Sequence, residues 1–180
     1  MNTLDFLKKY LPDARNAESI THINYLVSLA QAALESGWGE HAPMNNFFGI
    51  KDTDGVNRQL LPTTEVNRSS TKNAQQVGLS FIDRVEQKID SEGKPYFVYY
   101  GKAWFETFAT PKDAFVAHGK LFFNKWGNGQ YVYKDAIQHL SEPEIFVDLI
   151  APIYASGVGY ANTVKSIMKT ISDTIKKYSL

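Results

Sequence analysis

The feature that most constrains this chain is an amphipathic segment that runs directly into a glycine-rich, aromatic turn. Apolar residues recur at steps of three and four from Ile20 to Leu34. This spacing predicts one helix from about Asn16 or Ser19 to Ser36, with one face directed to the core. The residues that follow this helix are therefore held at a defined place beside the core.

Gly37 is expected to end the helix, because glycine readily adopts the left-handed backbone of a helix C-terminus. Glu35 then lies near the helix end, on a polar strip one turn beyond Gln31. The helix dipole disfavours a carboxylate there by about 0.3–1 kcal/mol, and an apolar cover would add desolvation. The side chains expected to supply this cover are Trp38, Phe47 and Phe48. Both effects raise the pKa of Glu35, as general acid catalysis near neutral pH requires.

The same residues also have a purely structural interpretation. Most helical glutamates lie at the surface, so Glu35 would be a solvated side chain at a turn and its aromatic neighbours would be ordinary core. Composition does not decide between the two interpretations.

Length and charge exclude several classes of protein. A chain of 180 residues, 43% hydrophobic and 21% charged, is typical of a single globular domain. Lysine plus arginine equals aspartate plus glutamate at 19 each, so no net field attracts nucleic acid or an anionic membrane. No apolar run approaches the ~18 residues of a membrane-spanning helix. Neither nucleic acid nor a membrane is expected as a partner.

Cysteine is absent, which excludes disulfides, thiolate nucleophiles and cysteine-ligated zinc. The four histidines show no metal-ligand spacing such as HExxH. They are His22, His41, His118 and His139. Neither a metal ion nor another cofactor is expected.

The segment from Met1 to Tyr10 lacks the basic region and long apolar stretch of a secretory signal peptide. A secretory signal peptide is therefore not expected.

Helical segments are predicted at both ends of the chain. A short helix runs from Leu4 to about Tyr10 and is expected to end at Pro12, because proline disfavours a helical predecessor. Thr110 begins another helix as an N-cap followed by proline. The last helix is predicted over Tyr160–Lys177 from its apolar spacing.

The segment between these helical regions, about residues 52–108, has β character. The turn signals Asp54-Gly55 and Glu92-Gly93 separate short β-prone runs, Gln76–Ile82 and Tyr96–Tyr100. The pattern predicts a β-rich lobe inserted in a helical body.

Several short motifs follow one another along the chain, and their order is more specific than any one of them. They are Glu35-Ser36-Gly37-Trp38-Gly39, Asn46-Phe47-Phe48-Gly49-Ile50-Lys51, Pro62-Thr63-Thr64-Glu65, Trp104-Phe105-Glu106-Thr107-Phe108 and Tyr154 to Ala161. Together they resemble the bacterial endo-β-N-acetylglucosaminidases of glycoside hydrolase family 73, which include flagellar peptidoglycan hydrolases and autolysins. The resemblance runs from about Ile20 to Lys169.

Two positions depart from the family pattern. Glu106 stands where the family's aromatic strand carries a basic residue. Ser156-Gly157-Val158 stands where the family has Thr-Asp-Pro, which leaves the shape of that wall of the substrate groove open.

The resemblance implies an α+β, lysozyme-like fold, with a mainly helical body and a small β-lobe, about residues 52–108, beside the substrate groove. Residues 1–180 would form one catalytic domain. It would hydrolyse the β-1,4 bond between N-acetylglucosamine and N-acetylmuramic acid in peptidoglycan, with Glu35 as the proton donor. The residues implied to contact the glycan are Gln31, Trp38, Asn46, Phe47, Phe48 and Tyr160. Further aromatic residues expected along a sugar groove are Trp104, Trp126, Tyr131 and Tyr133.

The mechanism beyond proton donation is open. Glycosidases usually need a second carboxylate, either as a nucleophile or to activate water, and Glu65 is the candidate. A competing route uses the 2-acetamido group of the substrate, which Tyr154 would orient.

Two other functions compete with the hydrolase. A lytic transglycosylase also carries a helix-borne Glu-Ser and would leave a 1,6-anhydro product. A non-catalytic wall-binding module on the same fold is the second rival, against which the presence of Glu35 argues.

A cell-wall substrate, together with the missing signal peptide, implies that the protein is made in the cytoplasm and acts in the periplasm or cell wall after export by another route. Release with a phage holin and injection by a contact-dependent secretion system are the two expected routes. The second route would add an immunity protein as a partner.

Overall fold

The computed structural model describes residues 1–155 and 159–180. The chain divides into a helical unit, residues 1–48 and 108–180, and a β unit, residues 49–107. The described residues contain five α-helices and one antiparallel sheet of three strands, which confirms the predicted α+β class. None of the described helices combines the length and the apolar character that crossing a membrane requires. The assignment of residues 1–180 to one catalytic domain with a β-lobe at about 52–108 stays a prediction.

Helix α1 spans Thr3–Thr21, so the predicted end at Pro12 is wrong. Pro12 lies on the exposed face of the helix, where its missing N–H and its ring cost about 3 kcal/mol. The opposite face is buried along the whole helix, and each large apolar side chain buried there contributes about 1.5–3 kcal/mol. Those residues are Phe6, Leu7, Tyr10, Leu11, Ala14 and Ala17. Tertiary packing therefore outweighs the proline.

Helix α2 spans Tyr25–Ser36, so the predicted start at Asn16 or Ser19 is wrong. The chain breaks between α1 and α2 at His22, whose φ of 61° ends α1. Asn24 then caps α2, its side-chain oxygen accepting a hydrogen bond from the N–H of Leu26 at 2.9 Å. Because the apolar spacing continues across this break, periodicity alone could not reveal the boundary between α1 and α2.

The end of α2 agrees with the prediction. Gly37 has a φ of 58° and donates its N–H to the carbonyl of Ala33, which is the left-handed cap expected of glycine. Glu35 consequently lies in the last turn of α2.

The remaining helices also lie in the helical unit. Helix α3 spans Pro111–Leu121, and the side chains of Thr110 and Asp113 each accept the other residue's backbone N–H, which confirms the predicted N-cap. Helix α4 spans Pro143–Tyr154 and α5 spans Tyr160–Tyr178. Helix α1 packs against α2 and α3, and α5 packs against α2 and α4. The N-terminus of α5 is thereby brought to the end of α2.

His118 is a fully buried polar residue of this core. Its ring stacks on Phe48 with the centroids 3.9 Å apart, and neither ring nitrogen has a hydrogen-bond partner in the part of the chain described. Burial lowers the pKa of His118 to about 3. The fold therefore holds the neutral imidazole.

This burial predicts a loss of stability in acid. The folded pKa lies below the ordinary value of 6.5, so the stabilisation is complete above about pH 6.5 and is lost as the pH falls toward 3. One proton changes the free energy of unfolding by up to about 1.4 kcal/mol per pH unit. The free energy of unfolding can be measured with urea for the wild type and for His118→Leu, at about pH 7 and about pH 5. It should decrease less between the two pH values in the variant than in the wild type. Equal decreases would contradict the prediction.

The β unit consists of β1, Arg58–Asn67, β2, Phe81–Ile89, and β3, Pro95–Glu106, in the order β1-β3-β2. The predicted run Tyr96–Tyr100 lies inside β3. The predicted run Gln76–Ile82 is wrong, because most of it forms a 3-10 turn and a left-handed glycine before β2 begins. Its apolar residues instead pack over the sheet, where the buried side chains are Val77, Leu79, Tyr99 and Ala103.

Candidate active site

Glu35 is joined by hydrogen bonds to two residues of the helical unit. The hydroxyl of Tyr160, at the start of α5, donates to Glu35 Oε1 at 3.3 Å. Gln31 Nε2 donates to the hydroxyl oxygen of Tyr160 at 2.9 Å. Gln31 is fully buried, so the amide is held by the core. The chain Gln31–Tyr160–Glu35 directs the tyrosine hydroxyl hydrogen at the carboxylate.

The carboxyl group of Glu35 has an altered acidity. Glu35 is an exposed residue, yet the protein around its carboxyl removes enough water to raise its pKa above the ordinary 4.5. The hydrogen bond from Tyr160 acts in the opposite direction and is the smaller effect. The predicted direction of the shift is confirmed, and burial is its main cause.

Tyr154, at the end of α4, lies beside Tyr160. The rings of Tyr154 and Tyr160 stack with their centroids 5.8 Å apart. The ring of Phe122 also stacks on Tyr154, with the centroids 6.0 Å apart. Burial raises the pKa of Tyr154 well above its ordinary value, and the charges of Tyr160 and Glu35 add to the effect. Tyr154 therefore keeps its proton, and it is linked to Glu35 through Tyr160. The departure at Ser156-Gly157-Val158 lies outside the described residues.

Tyr133 is a further aromatic residue of this region, and it lies outside the motifs. Its ring packs edge-on against Phe122 at 5.2 Å. Its phenol contributes to raising the pKa of both Tyr154 and Tyr160. Only tertiary structure brings it here, because 98 residues of sequence separate Tyr133 from Glu35.

The other predicted glycan contacts form the turn that follows α2. Trp38 packs edge-on against Phe6, with ring centroids 5.5 Å apart. Asn46, Phe47 and Phe48 are 5%, 2% and 7% exposed. Their burial makes them supports of the turn. Of the predicted set, Gln31 and Tyr160 belong to the hydrogen-bond chain that reaches Glu35.

Glu65 belongs to the β unit, on β1 opposite Tyr99 of β3. Lys51 Nζ lies 2.6 Å from Glu65 Oε1 and donates to the carbonyl of Gly78 at 2.7 Å. Gly78 has a φ of 77°, and an added Cβ would lie 2.9 Å from Lys51 Nζ. The lysine that closes the Asn46–Lys51 motif is thus the partner of Glu65, a pairing that no sequence spacing indicates.

The described residues contain no group of three or more histidines, aspartates and glutamates arranged to hold a metal ion.

Comparison with known proteins identifies related families and folds. The family model of mannosyl-glycoprotein endo-β-N-acetylglucosaminidases matches residues 11–173. None of the curated protein sequences compared with the chain matches it.

Several solved structures have a similar fold. The catalytic domain of the autolysin Auto from Listeria monocytogenes is 19% identical with a TM-score of 0.67, covering 96% of this chain and 85% of that chain. The glycoside hydrolase domain of FlgJ from Salmonella typhimurium is 20% identical with a TM-score of 0.62, covering 99% and 94%. A peptidoglycan hydrolase from Sphingomonas sp. A1 is 16% identical with a TM-score of 0.55, covering 97% and 94%. These likenesses establish the fold.

Proposed function

Because the chain belongs to the endo-β-N-acetylglucosaminidases of glycoside hydrolase family 73, we propose that it hydrolyses peptidoglycan with Glu35 as the general acid. The bond cleaved is the β-1,4 bond between N-acetylglucosamine and N-acetylmuramic acid. The observation that carries this assignment is the carboxyl of Glu35, raised in pKa by burial and bonded to Tyr160. Similar structures are named an autolysin and a peptidoglycan hydrolase, which supports peptidoglycan as the substrate.

Glu35 performs the first chemical step. Its carboxyl proton passes to the glycosidic oxygen as the bond from that oxygen to the anomeric carbon breaks, so the leaving saccharide departs as an alcohol. Glu35 becomes a carboxylate, which accepts the hydrogen bond from Tyr160. Gln31 is a positioning residue in this scheme, because its buried amide fixes the hydroxyl of Tyr160.

The second step adds water to the anomeric carbon. We favour Glu65 as the base that activates this water, with Lys51 holding one carboxylate oxygen and leaving the other for the water. In the competing route the 2-acetamido group attacks, and the protonated hydroxyl of Tyr154 orients it. Of the remaining predicted contacts, Trp38 stays proposed as a glycan contact, and the buried Asn46, Phe47 and Phe48 would support the turn that follows α2 at the wall of the glycan site.

The place of action follows from the substrate. A peptidoglycan hydrolase acts in the cell wall or periplasm, and this requires delivery there. We propose two routes for that delivery: release with a phage holin, and injection by a secretion system, which would add an immunity partner.

Clearing of purified sacculi is the experiment that tests the function. The wild type should reduce the turbidity of a sacculus suspension, and EDTA should leave the rate unchanged because the proposed chemistry uses only protein carboxylates and water. Binding to sacculi without clearing would identify a wall-binding module instead. Inhibition by EDTA that added Zn²⁺ or Mg²⁺ reverses would contradict the proposed chemistry.

Removal of the Tyr160 hydroxyl should change the pH dependence of the enzyme. The general acid must be protonated, so activity falls as the pH rises through the pKa of Glu35. Tyr160→Phe removes a hydrogen bond that lowers this pKa, and the alkaline limb of kcat/KM should therefore move to higher pH. Gln31→Leu should move it in the same direction by a smaller amount.

Thr163→Val is the matched control for these two variants. It removes a hydrogen bond from the Thr163 hydroxyl to the carbonyl of Gly159 in the first turn of the same helix, away from Glu35. Its alkaline limb should coincide with that of the wild type. An unshifted limb in Tyr160→Phe would remove Tyr160 from the proposed role.

A further inference from the structure

A cavity of about 180 Å³ lies in the helical unit, between the loop that follows α3 and the face of α4. We name it the aromatic cavity. Its walls include Trp126, Gln130, Tyr131, Tyr133, Leu149 and Ile153. It combines flat apolar rings with a few hydrogen-bonding groups, as small-ligand sites commonly do.

The loop that carries two of these rings is a small hairpin. Trp126 N–H donates to the carbonyl of Gln130 at 2.8 Å, and Val132 N–H donates to that of Asn124 at 2.9 Å. Backbone pairing of Lys125 with Tyr131 joins its two arms. The loop therefore presents its side chains from a hydrogen-bonded backbone.

The two rings remain open to solvent in this structure. Trp126 is 57% exposed and Tyr131 is 38% exposed. Ile153, on the α4 side of the cavity, is 50% exposed. Large apolar side chains grouped at a concave surface in this way mark a binding site rather than core.

The aromatic cavity adjoins the residues around Glu35. Tyr133 lines the cavity, and its ring packs on Phe122 with the centroids 5.2 Å apart. Phe122 stacks on Tyr154 at 6.0 Å, and Tyr154 stacks on Tyr160 at 5.8 Å. Because Tyr160 donates to Glu35, a continuous series of side-chain contacts joins the cavity to Glu35.

We propose that the aromatic cavity is a subsite for one N-acetylhexosamine unit of the glycan strand, next to the unit held at Glu35. This inference rests on the proposed function. The apolar face of a pyranose suits the rings of Trp126 and Tyr131, as an aromatic surface offers large contact area at low entropic cost. The amide of Gln130 and the hydroxyl of Tyr133 suit its hydroxyl and acetamido groups.

The charges at the cavity favour a neutral sugar over a peptide stem. Lys134 and Asp135 both line it, and their opposite charges offset each other. Lys125 Nζ lies over the ring of Tyr131, 4.7 Å from its centroid, and is not among the residues that line the cavity. A neutral acetamido sugar is therefore the occupant assigned.

Binding of β-1,4-linked N-acetylglucosamine oligomers tests the subsite separately from catalysis. Calorimetric titrations would use the full chain with Glu35→Gln, so that no oligomer is cleaved, and oligomers of increasing length. Affinity should rise when an oligomer becomes long enough to reach the cavity. Trp126→Ala should remove that rise and weaken the longest oligomer by about three- to tenfold, while shorter oligomers bind as before.

Two further variants control this experiment. Trp126→Phe should keep most of the affinity, and its thermal unfolding should match that of the parent. Tyr178→Ala, which removes an aromatic side chain that is 47% exposed at the end of α5, should have no effect on any oligomer.

The outcomes separate this inference from the proposed function. If the wild type clears sacculi but Trp126→Ala binds every oligomer as its parent does, the subsite is wrong and the proposed function stands. If Trp126→Ala weakens only muropeptides that carry a peptide stem, the cavity holds the stem and the subsite for a sugar is wrong. If no oligomer binds the parent and the wild type clears no sacculi, both are wrong.

Discussion

Glu35→Gln is expected to abolish the clearing of sacculi while leaving the fold and sacculus binding intact. Glutamine keeps the size of the side chain and can still accept the hydrogen bond from Tyr160, but it has no acidic proton to give to the leaving oxygen. General acid help is typically worth about 10²–10⁴-fold in rate. The rate of turbidity loss and a sacculus pull-down measure the two properties side by side.

Glu40→Gln is the matched control for this substitution. Glu40 lies in the turn that follows α2 and pairs with the amino group of Met1. An exposed pair of this kind contributes little to stability, so the control should clear sacculi at the wild-type rate. Activity of Glu35→Gln above about a tenth of wild type would remove Glu35 from the role of proton donor.

Glu65→Gln is expected to reduce kcat by about 100-fold or more if Glu65 activates the attacking water. Glutamine can still accept the hydrogen bond from Lys51, so the loss would report the missing base rather than a broken β unit. Azide should partly restore turnover of Glu65→Ala, because it attacks the anomeric carbon in place of the water that Glu65 would activate, and the product should be the inverted glycosyl azide. NMR of the initial products should show inversion.

Two controls separate this role from that of the ion pair. Glu86→Gln removes an exposed carboxylate of β2 that pairs with Arg84 and should be neutral. Lys51→Met removes the partner of Glu65 while leaving its carboxylate, so a milder effect than Glu65→Gln identifies the carboxylate as the active group. Retained products, with a severe Tyr154→Phe and a nearly wild-type Glu65→Gln, would assign catalysis to the 2-acetamido group instead.

The sequence rules for helix caps correctly predicted two helix boundaries that depend on neighbouring residues alone. The Thr110 cap and the Gly37 terminus depend on a few neighbouring residues, and both are confirmed. The boundary at His22–Asn24 also depends on an asparagine cap, but apolar residues on both sides kept the same spacing and concealed it. Periodicity reports which face is buried and not where the backbone turns.

Errors elsewhere arose where burial at long range outweighed local preference. Pro12 has a strong tendency to end a helix, yet the buried face of α1 continues past it. The run Gln76–Ile82 is β-prone by composition, but Val77 and Leu79 are used to cover the sheet near Tyr99. Neither result can be derived from the residues adjacent in sequence.

The candidate site shows the same division. Glu35 could be located because a helix end and a motif coincide there, and the raised pKa follows from partial burial. The contacts of Glu35 with Tyr160, and of Glu65 with Lys51, depend on how distant segments pack, and residue types do not encode those distances. Tyr133 was expected along a sugar groove from its residue type, but its packing on Phe122, which in turn stacks on Tyr154, depends on tertiary structure.

The ends of the cleaved glycan strands test the central claim most directly. Sacculi digested by the wild type would be reduced with borohydride and the muropeptides identified by mass spectrometry. Hydrolysis by a glucosaminidase predicts reduced N-acetylglucosamine at the new ends. Reduced muramic acid ends would indicate a muramidase, and 1,6-anhydro ends would indicate a lytic transglycosylase; either result would contradict the proposed function.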